Sequence, residues 1–229
     1  NVYVVGNTSN AGTGTDIVLL KYDSNLNPMF TKFYSSAGIA DDGATAMRVE
    51  PNGVCNIVGS CYDVTYGNRL LVMKYWGNGV LLWKKYHDVA PSTIGSDIGN
   101  AISYDPVTGD LYVTGRGVNG TNYDWSVIKY RGVDGAKMWT KLYAGLNSFD
   151  DSGVDISYVS SGVVYVTGNS KSIVSGITNP SIVLRKLNSS DGSQLWAKTY
   201  TGITATGSVT PLGATASSTV VTPSENIYV

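Results

Sequence analysis

Few residues in this chain are equipped for chemistry. His87 is the one histidine, so a metal site built on two or three imidazoles is excluded. A Ser-His-Asp triad would have to use it, and nothing beside it suggests a nucleophile. It also stands at a repeat position held elsewhere by Tyr34, Tyr143 and Tyr200, which reads as structural filling. The paired acids Asp41-Asp42 and Asp150-Asp151 have the composition of a glycosidase acid/base pair. Their recurrence at one repeat position points instead to caps or to partners for lysines. Asp23-Ser-Asn-Leu-Asn27 faintly resembles an oxygen-ligand calcium loop, but it lacks the later Gly and Glu and lies at a hairpin turn. Cys55 and Cys61 are the only cysteines. On a straight strand six residues span about 20 Å, too far for a disulfide. Gly59-Ser60 can turn the chain back, so an intramolecular bridge stays open. No glycine-rich phosphate loop leads from a strand into a helix. The expectation is no catalytic residue, no metal and no cofactor.

The elements that would position these residues recur. Asp16-Ile-Val-Leu-Leu-Lys-Tyr returns as Arg69-Leu-Leu-Val-Met-Lys-Tyr, Trp125-Ser-Val-Ile-Lys-Tyr and Ser181-Ile-Val-Leu-Arg-Lys-Leu. Each copy runs into a Gly/Asn/Asp turn and then an aromatic residue with a second Lys: Phe30, Trp83, Trp139 and Trp196 hold the aromatic position. The lysines Lys21, Lys74, Lys129 and Lys186 stand roughly 55 residues apart, a period that calls for a repeat architecture.

Each period reads as four strands. Strand B is Asn1-Val-Tyr-Val-Val-Gly6 and its relatives ending at Gly59, Gly115 and Gly168, with a last copy at Asn226-Ile-Tyr-Val229. The glycine is expected to end the strand. Strand C is the Lys-ending run, apolar on both faces and therefore sandwiched between sheets. Strand D carries the aromatic. Strand A is Ala44–Val49, Asn100–Tyr104, Val154–Tyr158 and Thr215–Val221. Four antiparallel strands joined by small turns make a β-propeller blade. Stacking blades buries both apolar faces. The chain therefore reads as all-β, a propeller of about four blade units: 1–43, 44–98, 99–152, 153–213 and a closing 214–229 with strands A and B only. The strand-C lysines are expected either to pair with the acids that precede strand A or to reach solvent.

Loop lengths place the long B–C and D–A connections on one side of the disc. Tyr62, Tyr66, Tyr123 and Trp125 lie there among Ser, Gly, Asn and Thr, as a candidate binding face. The plainer alternative is solvated loops with tyrosines packed locally.

Charged residues make up 14% and the net charge is −1, so no basic patch marks a nucleic-acid binder. No apolar run reaches the length of a membrane span. The lack of an initiator Met and of a secretory leader reads as a mature or partial chain. Abundant hydroxyls and few charges suit an extracellular or cell-surface setting. The sequons at Asn7, Asn119 and Asn188 are expected in surface loops or turns.

The Asp-Gly turn followed by Trp-x-Lys, with the Tyr-Val-x-Gly strand, resembles bacterial and archaeal β-propeller repeats of the seven-bladed type, and more loosely the quinoprotein-dehydrogenase-like propellers. The chain departs from that pattern in having about four units. The resemblance implies a blade architecture common in extracellular proteins. The leading expectation is a non-enzymatic structural or adhesive module whose partners are other copies or protein and glycan surfaces. The alternatives are part of a quinoprotein-like or glycan-active enzyme, and a carbohydrate-binding lectin-like propeller. The ends allow three arrangements: part of a larger propeller, a ring closed by the last strand A, or strand exchange between molecules into a filament.

Overall fold

The computed structural model describes residues 1–229 apart from 37–39, 89–94, 121, 146–148, 175–176, 202–213 and 223. Every regular element among the described residues is a strand. The first sheet is β1 (Val2–Asn10), β2 (Gly14–Tyr22) and β3 (Pro28–Tyr34). The second is β4 (Gly43–Val49), β5 (Cys55–Asp63), β6 (Gly67–Tyr75) and β7 (Leu81–His87), with the short β8 (Gly95–Ser96) running parallel to β6. The third is β9 (Ile98–Tyr104), β10 (Leu111–Asn119), β11 (Asn122–Tyr130) and β12 (Lys137–Tyr143). The fourth is β13 (Ser152–Val159), β14 (Val163–Val174), β15 (Ile177–Asn188) and β16 (Gln194–Thr201). A hairpin of β17 (Val220–Val221) and β18 (Ile227–Tyr228) follows. Apart from β8, each sheet is an antiparallel meander in chain order. This is the blade of a β-propeller, repeated about four times.

Strand C is buried on both faces in β6 and β11, while in β2 and β15 one face is buried and the other half-buried. Leu71 and Met73 of β6 pack with Ile17 and Leu19 of the first sheet. Leu70 and Val72, one residue out of phase, pack with Ile102, Val113 and Ile128 of the third. Val127 on β11 then meets Val164, Val166 and Val183 of the fourth. Three separate cores therefore stand between successive sheets. Each buried aliphatic side chain contributes roughly 1.5–3 kcal/mol.

The strand-B glycine does not end its strand, contrary to expectation. β5 runs four residues past Gly59 to Asp63, and β10 runs on past Gly115 to Asn119. The glycine instead faces a register shift where strand A crosses close by. A Cβ on Gly115 would lie 2.0 Å from the Ile98 carbonyl oxygen, and one on Gly59 would lie 1.9 Å from that of Gly43. Only glycine admits so close an approach. The long B–C loops of the sequence reading are thus continuations of the hairpins: residues 11–13 join β1 to β2, and 64–66 join β5 to β6. Much of the D–A connections, and the start of the fourth strand-A copy's approach, lies outside the described residues. That copy is shorter than expected, with only Val220–Val221 in strand form.

Candidate functional site

The two ends of the strands carry different groups. At the end where the short A–B and C–D turns lie, one row of residues crosses each sheet. Tyr3, Lys21 and Phe30 are register neighbours on β1, β2 and β3. Tyr112, Lys129 and Trp139 form the same row, as do Tyr165, Lys186 and Trp196. In the second sheet Asn56 replaces the tyrosine beside Lys74 and Trp83. The lysine ammonium lies 5.1–5.2 Å from the tyrosine ring centroid in the three sheets that have one. The C–D register slips directly after each lysine.

Three of the four lysines pair with acids, but not those expected. Lys74 Nζ is 3.0 Å from Glu50, Lys129 is 3.1 Å from Asp110 and Lys186 is 3.0 Å from Glu225. All three acids belong to A–B turns. The acids that precede strand A sit at the opposite end of the strands and cap backbone amides. Asp42 accepts from the amides of Ser36 and Tyr62, Asp97 from Val118, and Asp151 from Gly145. Lys21 donates to the Gly77 carbonyl at 2.6 Å, and Lys74 to that of Gly109 at 3.1 Å, both in the following blade.

The strand-D aromatics join blades in the same forward direction. Trp83 Nε1 donates to the Gly132 carbonyl at 3.1 Å, and Trp139 Nε1 to that of Ser189 at 3.2 Å. A Cβ on Gly135 would lie 2.7 Å from the Trp83 ring, and one on Gly192 would lie 2.8 Å from Trp139. Gly135 has φ 69°, in the left-handed region that favours glycine. The Asp-Gly turn and the Trp that recur together in sequence thus touch across blades. Trp83 is buried, while Phe30, Trp139 and Trp196 are half-buried.

At the loop end the candidate face divides. Trp125 is buried at 1% exposure and belongs to the core between the third and fourth sheets, which corrects its placement on the face. Its Nε1 donates to Thr114 Oγ1 at 2.8 Å, and Tyr143 meets its ring edge-on at 5.6 Å. Tyr123 is half-buried under the Arg116 guanidinium at 4.5 Å. Tyr62 and Tyr66 are exposed. Tyr62 lines a pocket of about 310 Å³ between the first two sheets, together with Tyr34, Ser36, Arg69, Lys84 and Tyr86. A second pocket of about 280 Å³ lies between the third and fourth sheets, with Lys171 and Arg185 in its wall. Arg185 rests 4.0 Å over the Tyr143 ring, and burial lowers its pKa.

The remaining candidates are accounted for. Cys55 and Cys61 are buried free thiols on the single strand β5, so the bridge is not formed. Burial pushes the Cys55 thiol up to about 11 and the Cys61 thiol up to about 12. Both stay protonated and are poor nucleophiles at neutral pH. His87 is buried, and burial with nearby Lys137 lowers its pKa to about 4. Asp23 accepts from Asn25 N, Asn27 N and the Asn27 side chain, as an Asx turn closing its hairpin. Among the described residues no three of His, Cys, Asp and Glu gather as a metal set. Asn7 lies inside β1 rather than in a loop, and its Oδ1 accepts from Ala44 N at 2.9 Å. Asn119 and Asn188 end β10 and β15 beside their turns. No helix among the described residues is long and apolar enough to cross a membrane.

No family model matches the chain, and no curated protein matches it. Among solved structures, quinohemoprotein alcohol dehydrogenase from Comamonas testosteroni superposes with a TM-score of 0.52 at 13% identity, over 87% of this chain and 36% of its own. BamB from Moraxella catarrhalis gives a TM-score of 0.31 at 13% identity, over 88% and 80%. The likeness to the dehydrogenase is one of fold and agrees with the blades described above. This chain spans little more than a third of the dehydrogenase's length. The resemblance read from the repeats therefore holds at the level of a propeller repeat.

Proposed function

We propose that the chain is a non-enzymatic propeller module that works outside the cell or at its surface, holding to other copies of itself or to protein and glycan surfaces. The observation that carries this reading is the division between the two strand ends. The recurring charged residues pair within a blade, join it to the next or cap loops. Rings and cations that break the repeat gather at the loop end, and among the described residues none there is a nucleophile poised beside a base. The low charge density and the sequons favour the extracellular setting.

Self-association has its own support. β5, β10 and β14 are each covered on one side by a strand A, namely β4, β9 and β13. The same edge of β1 carries no partner strand among the described residues. Such an edge offers free N–H and C=O groups to a strand from a second copy. Negative-stain electron microscopy with light scattering tests the proposal. Fibres or multiples of the chain mass, or retention on protein- or glycan-coated surfaces, support it. Particles of single-chain mass that adhere to none of these surfaces would overturn it.

A further inference from the structure

The pocket between the first and second sheets is built from residues that break the repeat. Lys84 stands where the other D strands have Thr31, Thr140 and Ala197. Tyr86 stands where they have Phe33, Leu142 and Thr199, and Arg69 replaces Asp16, Asp124 and Ser181. Three substitutions cluster at one junction, and the other junctions form without them.

Their charges are unevenly matched. Arg69 is held bidentately by Asp88 at 2.8 and 2.9 Å, with Asp63 at 3.7 Å. It rests against the rings of Tyr66 and Tyr86 at 4.8 and 5.1 Å. Both acids beside Arg69 are therefore engaged by the guanidinium, and Asp42, buried behind the pocket, is engaged by the Ser36 and Tyr62 amides. Lys84 has no carboxylate within ion-pair distance among the described residues. Its ammonium lies over the Tyr34 and Tyr86 rings at 4.9 and 5.7 Å, at the pocket wall. The phenols of Tyr34 and Tyr86 are 3.1 Å apart, and burial raises the pKa of Tyr34, which keeps it a hydrogen-bond donor. Tyr62 and Tyr86 are 42% and 38% exposed, so each leaves ring surface open.

We propose that this pocket binds an acidic sugar, a pyranose ring bearing a carboxylate or sulfate. Lys84 takes the anionic group, since a cation held only by rings still has donors free. The tyrosine faces cover the apolar side of the ring, and their phenols with Ser36 engage its hydroxyls. The volume of about 310 Å³ admits one such unit of a glycan. The inference rests on the adhesive reading and names its ligand class.

Titration calorimetry on the whole chain tests it, with glucuronic acid, glucose 6-sulfate, glucose and glutarate as probes. At least one acidic sugar should bind about tenfold or more tighter than glucose, and the preference should shrink as salt is added. Which of the two binds better identifies the carboxylate or the sulfate as the source of the charge. Lys84→Thr, the residue of two other blades, should abolish the preference at an unchanged melting temperature, and Lys84→Arg should keep most of it. The inference is overturned if neither acid outbinds glucose, if Lys84→Thr retains the preference, or if glutarate binds as tightly as the acidic sugars. Adhesion to glycan or protein surfaces that survives Lys84→Thr would sink this site while leaving the adhesive reading intact.

Discussion

The turn ends and the loop ends of the same strands follow opposite rules. At the turn end the four sheets repeat one row, with lysine and aromatic side by side, tyrosine beside them in three sheets and Asn56 in the second, and an acid from an A–B turn closing three of the rows. At the loop end each junction differs. The first pocket sets Lys84 over Tyr34 and Tyr86, the second sets Arg185 over Tyr143, and on the third sheet Arg116 lies over Tyr123. Regularity at one end holds the blades in step, and this frees the other end to vary. A repeat protein can therefore change its contacts without changing its fold.

The largest effect that would break this comparison lies at the turn end. Trp83→Ala should lose about 3–5 kcal/mol in denaturant unfolding, because the ring is buried and bonded to the next blade. Trp196→Ala should lose clearly less, its ring being half-buried. Equal losses would mean that the aromatic row does not act through blade contact. Lys129→Met should lose about 3 kcal/mol, since Asp110 is left charged with its lysine gone. A neutral result would show that the row tolerates an unpaired acid.

At the loop end, His87 makes the second blade sensitive to acid. Its folded pKa lies near 4 and its ordinary value is 6.5. The unfolded chain therefore binds the proton first, and stability is complete above pH 6.5 and falls as pH drops towards 4. The loss reaches up to about 3 kcal/mol, two and a half pH units at 1.36 kcal/mol each. His87→Tyr, restoring the residue of the other blades, should flatten the melting temperature across that window. A curve of unchanged slope would assign the acid loss to other groups.

Two glycines of the same motif sharpen the contrast between sheets. Gly115→Ala should cost about 2 kcal/mol by pressing on the Ile98 carbonyl. Gly6→Ala should stay within about 0.5 kcal/mol, as its nearest neighbour is Val18 Cγ1 at 3.9 Å. If Gly6→Ala costs as much as Gly115→Ala, a strand covers the edge of β1 in solution. Last, Arg131→Ala should leave the melting temperature unmoved. Its pair with Asp134 at 2.6 Å is exposed and lies outside the row.

Strands B, C and D were legible because their residues recur at fixed spacing and because strand C is apolar on both faces. What joins one blade to the next was not. Trp83 meets a turn some fifty residues later, and Lys74 chooses Glu50 over the acids before strand A, which lie at the far end of the strands. Composition carries no register, so the two acid sets looked alike. Trp125, at the start of strand C, was placed on the loop-end face for the same reason. The glycine at 115 suggested a strand end, but β11 continues beside β10 and carries Trp125 into the core. The loop-end pocket did leave a signal: Arg69 and Lys84 break their own repeat columns. Aligning the columns finds them, whereas counting residue types does not.

The three cores are wired in series, each shared by one pair of neighbouring sheets. Pulled from its two ends, such a chain has no single interior that must fail all at once. It should lengthen in steps, one blade released for each core that parts, and shorten by the same steps when the load is removed.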